Sequence, residues 1–397
     1  MPITTTTPTE SSAKALTWAA YVSFVPIGVV TVLLGPLLPT LSSRWSLNYS
    51  QAGALFPDQF LASTAAVIVS GMLVSRWGYR FAMKAGLLLT GVSLALMLTG
   101  PRILGIICIA GYGAGFGLTV PAANLLASEM NPQRRSAALN TLNFCWSMGA
   151  VACPFLVAAA ANSHRVPLFL DIVAGVSIAV AIGIAAMPSH VVEPVVSGTK
   201  PKGTLPTNWR RGVVFVVGAL FFIYVGTETA FGGWVASYAK SLGSMAPPIA
   251  VMMASFFYGS LTFGRLVAPM LLRTIDEVRL AQAGALIAAA GGTALLISHS
   301  AFAVAVSSCI AGVGLSTIYP ITISLLAREF GTGSSRVASA MFTLANLGGS
   351  ALPWLVGVSS GWFGSLKAGM TVPLIGSVAL LLLYRWKWTP LQAERAM

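Results

Sequence analysis

Charge is what this sequence has least of. Only 8% of its 397 residues are Asp, Glu, Lys or Arg, against about 25% in ordinary soluble domains, and the acids number ten. Hydrophobic residues make up 56% of the chain and mean hydropathy is +0.82. A soluble protein of this size has too little interior to hide so much apolar surface, so the composition excludes one and implies repeated membrane crossings. The alternating ten-residue segments of a membrane barrel are missing as well, which leaves helices. Cysteine is scarce: Cys108, Cys145, Cys153 and Cys309 all lie in apolar runs. Buried thiols acting as small hydrophobes account for them better than a disulfide or a metal site. Three scattered histidines give no support to a zinc centre. No GxxxxGKS/T loop occurs. The glycine-rich GAGFGLTVP lies inside an apolar run without βαβ context, where small residues serve close helix packing. The sequence therefore carries no enzyme signature and calls for no cofactor.

What is present is a series of long apolar runs. Twelve exceed or approach the ~20 residues that cross a bilayer as a helix: 16–41, 50–74, 80–99, 102–127, 136–160, 166–187, 211–239, 247–272, 278–298, 301–327, 336–358 and 368–388. The first is too long for a signal-peptide core and has no persuasive cleavage site. One long polar interruption falls between the sixth and seventh. The expected organisation is a tail at 1–15, a six-helix bundle at 16–187, a linker at 188–210, a second bundle at 211–389 and a tail at 390–397. The net charge of +13 does not mark a nucleic-acid surface, because Lys and Arg cluster in alternate loops. With the N-terminus inside, seventeen of them fall in inside segments and five in outside loops. That asymmetry predicts two cytoplasmic termini in an inner (plasma) membrane.

The two halves repeat each other. GAGFGLTVPAANLLASEMNPQRRSAALN, leading to SMGAVACPFL, parallels AGVGLSTIYPITISLLAREFGTGSSRVASA, leading to NLGGSALPWL. Gly149 precedes Pro154 by five residues, as Gly348 precedes Pro353. GMLVSRWGYRFAMK after the second span pairs with GRLVAPMLLRTIDE after the eighth, Gly71 leading Arg80 by nine residues as Gly264 leads Arg273. Repeats of this kind place a binding site at their interface near the midplane. The first of these loops resembles the signature loop of the major facilitator superfamily, roughly G-x-L-x-D-R-x-G-R-R, through Gly71, Leu73, Arg76, Gly78 and Arg80, with Ser75 where the family has Asp. PAANLLASEM, AALNTLNFCWSMGAVACP and YVGTETAFGGW are similar to sugar permeases of the fucose:proton symporter type. The resemblance implies an all-α membrane protein of twelve helices in two pseudo-symmetric bundles, working as a monomer. It also implies uptake of a small sugar (a hexose such as glucose, galactose or fucose) by cation-coupled symport. An uncoupled facilitator, a drug or metabolite exporter working by proton antiport, and a non-transporting membrane sensor are the alternatives.

Individual residues read in a compatible way. The stretch 224–240, YVGTETAFGGWVASYAK, sets Glu228 deep in an apolar run, and an ionisable group there usually faces a cavity or the protein interior. Tyr224 shares its helical face, and Gly226, Gly232 and Gly233 are candidate hinge points. Sugar hydroxyls call for amides, carboxylates and aromatic faces. The candidate binding set is therefore Asn124, Asn143, Trp146, Glu228, Trp234, Tyr258, Tyr319 and Asn346, with helix-to-helix hydrogen bonding as the plain alternative for each amide. Asp58 and Glu228 are the candidates to carry the coupling ion, a proton or sodium. The fucose-permease type has a first-span aspartate, and this first span has no acid. By resemblance, Arg76, Arg80, Glu129, Arg135, Glu329 and Arg336 form an intracellular gate, solvated helix caps being the alternative. Arg265 is expected to snorkel or to join that gate layer.

Overall fold

A computed structural model describes residues 10–187, 211–330 and 334–386. Fourteen helices run in order: α1 (Glu10–Val32), α2 (Leu34–Arg44), α3 (Tyr49–Leu96), α4 (Arg102–Met130), α5 (Arg135–Asn162), α6 (Val166–Ala185) and α7 (Arg211–Ser241). They continue with α8 (Pro247–Leu271), α9 (Glu277–Leu296), α10 (Ala301–Ser316), α11 (Ile318–Phe330), α12 (Ser334–Phe363), α13 (Leu366–Gly369) and α14 (Thr371–Leu383). No strand occurs among the described residues. The linker and the tail beyond Trp386 lie outside them, and α1 begins at Glu10, six residues before the expected first span.

The fourteen helices of the described residues make twelve crossings: α13 and α14 together form the last, and local chemistry explains the other differences. The 48 residues of α3 hold the second and third crossings, joined at Gly78, whose φ of 82° and ψ of 173° interrupt the helix. A left-handed φ with extended ψ is a conformation essentially reserved for glycine. The first crossing breaks between α1 and α2 four residues ahead of Pro36, and the tenth breaks between α10 and α11 four residues ahead of Pro320. A proline lacks the N–H that would bond residue i−4, and its ring clashes with that carbonyl. The same proline offset thus accounts for both breaks, in the first helix of one half and the fourth of the other. α3 starts on an Asn48–Gln51 capping box, in which Asn48 Oδ1 accepts from the Gln51 amide at 2.8 Å.

Within each half, glycines set the helix crossings. A Cβ at Gly28 of α1 would collide with the Trp146 carbonyl of α5, and one at Gly149 of α5 with the Val25 carbonyl of α1. The second half repeats this crossing: a Cβ at Gly348 of α12 would collide with the Phe222 carbonyl of α7, and one at Gly226 of α7 would stand 2.7 Å from the Gly348 carbonyl. Such backbone approach is what membrane helices use in place of a hydrophobic driving force. α7 runs unbroken from Arg211 to Ser241, so Gly226, Gly232 and Gly233 are contact points; the expected hinge is not seen in this helix.

The loops define two ends. The basic end carries the 72–80, 131–135 and 272–277 connections; the opposite, sparse end carries the 45–48, 163–165, 242–246 and 364–365 connections. The halves meet near the sparse end. There α2 approaches α7 through Gly35 against Gly232 and Gly233, and Lys240 Nζ donates to the Pro39 carbonyl at 3.4 Å. α3 approaches α12 so closely that a Cβ at Gly53 would stand 2.9 Å from the Gly357 Cα, and Ser255 of α8 donates to the Val151 carbonyl of α5 at 3.4 Å.

Candidate functional site

The centre of the molecule is organised by two opposite charges on neighbouring antiparallel helices. Cα–Cβ bonds lean toward a helix N-terminus. Glu228 on α7 therefore leans toward the basic end and Arg265 on α8 toward the sparse end, so the two side chains converge although Arg265 starts nearer the basic end. Arg265 Nη2 stands 3.5 Å from Glu228 Oε2 and donates to the Tyr224 hydroxyl at 3.2 Å. Their side chains are 25% and 15% exposed, so the pair is largely enclosed yet reachable. Both bonds are long for charged partners, which favour about 2.7–2.9 Å, and Arg265 Nε is buried without a partner. The guanidinium is thus anchored and has unused donor capacity. Arg265 belongs to this layer; the expected snorkelling to the basic end does not occur.

Both halves contribute to the cluster. The Arg265 guanidinium lies over the Trp146 ring of α5, 6.0 Å from its centroid, within cation–π range. Trp146 Nε1 donates to Thr31 Oγ1 (3.4 Å), and Gln59 Nε2 donates to the Thr31 carbonyl (3.2 Å) while accepting from the Tyr112 hydroxyl (3.2 Å). On the other side the Tyr224 ring stacks on Tyr319 of α11 at 5.5 Å and 28°. A continuous polar and aromatic layer therefore runs from α4 through the Glu228–Arg265 pair to α11.

Of the residues expected to bind substrate, Glu228, Trp146 and Tyr319 fall in this layer. Arg265 and Tyr224 were not in that set. Tyr258 of α8 is buried with its hydroxyl against Gly232 of α7. Asn124 and Asn143 each donate one amide N–H to their own helix, to the Val120 and Leu139 carbonyls at 2.9 Å; the Asn143 side chain is exposed and Asn124 half-buried. Asn346 is half-buried on α12. Trp234 sits in the core rather than on an open wall. It is 1% exposed, donates to the Pro353 carbonyl at 2.9 Å and packs on Phe56 of the other half, so its only polar hydrogen is occupied. Asp58 makes no hydrogen bond or ion pair with any described residue and is half-buried. At about 100° per residue, Gly53, Phe56 and Phe60, which meet the C-terminal half, project from the side of α3 opposite Asp58. It is set apart from the central layer.

At the basic end Glu129 has a different partner from the one expected. Glu129 accepts from the Tyr79 hydroxyl at 2.8 Å, while Arg135, at the first position of α5, is exposed and unpaired with it. Arg80 Nη2 donates to the Ile184 and Met187 carbonyls (3.1 and 2.7 Å), closing the end of α6. Arg76 is exposed; Ser75 donates to the Met72 carbonyl of its own helix. Arg328 lies 3.7 Å from Glu277 and 3.9 Å from Glu329. The Arg336 side chain is outside the described residues. Each of these contacts joins elements of one half, whereas the cross-half contacts above lie in the central layer or toward the sparse end. The conformation is shut at the sparse end.

The chain matches the Major Facilitator Superfamily over residues 20–353. It belongs to that superfamily. It is similar to the sodium-dependent glucose transporter 1A of Mus musculus, 21% identical over 94% of this chain and 97% of that protein. The similarity to a glucose/galactose transporter of Brucella abortus is 24% identity over 88% of each chain. The solved structure of the E. coli fucose:proton symporter shares the fold at TM-score 0.61 and 18% identity, covering 95% of this chain and 98% of that one. The superfamily chain is thus a multi-pass membrane transporter and not an enzyme. Its all-α, twelve-crossing architecture and the sugar-permease resemblance agree with the sequence reading.

Proposed function

We propose that this transporter takes up a neutral hexose across the cell inner membrane by cation-coupled alternating access, as a monomer with both termini cytoplasmic. The observation that carries the reading is the Glu228–Arg265 pair under Trp146 at the junction of the halves. A closed ion pair offers an acceptor and a donor fork side by side with no net charge. One sugar hydroxyl donates to Glu228, its neighbour accepts from Arg265, and the Trp146 face takes the C–H side of the ring. A charged ligand would leave one member of the pair uncompensated in a desolvated site, which disfavours it. The exporter alternative, with a lipophilic cation as cargo, meets that objection at Arg265. The similarity to a sodium-dependent glucose transporter of mouse and a glucose/galactose transporter of Brucella supports a hexose.

In this reading the present conformation is inward-open, and basic-end charges, among them Glu129, Arg135, Glu329, Arg336, Arg76 and Arg80, exchange partners across the halves when that end closes. The coupling ion is a proton or sodium. Glu228 already has a counter-charge and Asp58 has none, so a sodium ion would meet repulsion at Glu228 and none at Asp58. Uptake of radiolabelled glucose, galactose and fucose into proteoliposomes, with an imposed pH gradient, a sodium gradient or neither, tests this. Saturable hexose uptake accelerated by one gradient is expected; no saturable flux of any hexose in any condition overturns it.

A further inference from the structure

A second concavity shares no residue with the ion pair: a trough of about 620 Å³ between α1 and α6. Its floor is apolar throughout: Ala15, Trp18 and Val22 of α1 face Val176, Ala179 and Gly183 of α6. Gly183 opens the middle, because a Cβ placed there would meet nothing within 4 Å. On the α6 side the trough extends from Val176 to Met187, twelve residues, or roughly 16 Å at helical rise. It starts at the basic end and runs toward the midplane.

Its mouth has the opposite chemistry. Arg80 is fixed there by its bonds to the Ile184 and Met187 carbonyls, and both of those residues line the trough. Lys14 is exposed directly ahead of Ala15. Trp18, 66% exposed, stands about one helical turn inside the mouth from Lys14, as interfacial tryptophans do near headgroup level. An apolar slot about one acyl chain long, opening between two cations, is complementary to a lipid that carries negative charge at its head and hydrocarbon behind it. Basic pockets between transmembrane helices bind such headgroups. We infer that the α1–α6 trough is a binding site for an anionic phospholipid, its acyl chain laid along Trp18 and Gly183 and its phosphate against Arg80 and Lys14. The site shares no residue with the central layer, and of the proposed gate charges it includes only Arg80.

Brominated lipids quench a tryptophan they touch, and Trp18 is placed to report. The full chain is reconstituted in phosphatidylcholine vesicles and titrated with chain-brominated phosphatidylglycerol or chain-brominated phosphatidylcholine. The Trp18 signal is taken as the difference between the parent and Trp18→Phe. The expected result is half-quenching at about tenfold lower mole fraction of the anionic lipid, as two nearby cations imply. Gly183→Leu, which fills the slot, should abolish that preference, and Lys14→Gln should reduce it. Coincident curves for the two lipids mean ordinary surrounding lipid only and overturn the inference. No quenching by either lipid means that the chain itself covers the trough, which overturns it equally.

Discussion

Glu228 and Arg265 are worth more to each other than either is to the surrounding helices. An isolated charge at mid-bilayer depth costs about 2.5–3.5 kcal/mol on insertion scales, and together the two cancel most of that cost. Arg265→Gln leaves Glu228 without its counter-charge, and with part of each side chain solvent-reachable the expected loss is about 2 kcal/mol. Glu228→Gln should lose a similar amount. The double variant removes both charges and should recover most of the melting temperature of the parent in detergent while remaining unable to transport hexose. Three equally depressed melting curves would mean that the two charges do not compensate each other. Glu228 was legible in the sequence because a lone acid in a long apolar run stands out. Arg265 was visible too, but its partner was not, since it is thirty-seven residues away on another helix. The lean of side chains on antiparallel neighbours was the signal that would have joined them.

At the scale of helices, glycine placement decides which pairs meet. Gly149 and Gly348 occupy equivalent crossings in the two halves, each pressed against a carbonyl of the half's first crossing. Leucine at either position should destabilise by about 1–3 kcal/mol, as overpacking does. Gly183→Leu, whose position is open, should leave melting nearly unchanged. A large loss at Gly183 with none at Gly348 would contradict the packing account. Hydropathy was enough to read the twelve crossings and most of their ends, because length and apolar content are one-dimensional properties. The proline breaks after Val32 and Ser316 were equally open to reading through the missing N–H of Pro36 and Pro320. Which face Asp58 or Trp234 presents was not, because that depends on how neighbouring helices rotate about their axes. Asp58, beside Gln59 and Pro57, read as a polar knot, but only Gln59 of the three turns its side chain into the polar layer.

For the molecule as a whole, the cross-half contacts make the sparse end a closed door. The Cβ that Gly361 lacks would stand 3.6 Å from that of Ser50 across the α12–α3 boundary, within the 3.5–4.5 Å range of a disulfide. Oxidising a Ser50→Cys, Gly361→Cys pair should therefore hold that end shut and stop transport, with activity returning on reduction. Full cross-linking with undiminished transport would show that the halves need not part there. The sequence repeat and the alternate-loop charge had already pointed to two moving halves; which end is closed is a property of one conformation and has no sequence signature. Transport of a neutral sugar requires that the Glu228–Arg265–Trp146 layer bind it. Isothermal titration calorimetry of glucose, galactose and fucose into the purified parent and into Glu228→Gln measures it. The prediction is saturable binding of at least one hexose to the parent and at least a tenfold weakening, about 1.4 kcal/mol, in the variant. Hexose binding to Glu228→Gln with the affinity of the parent would contradict it.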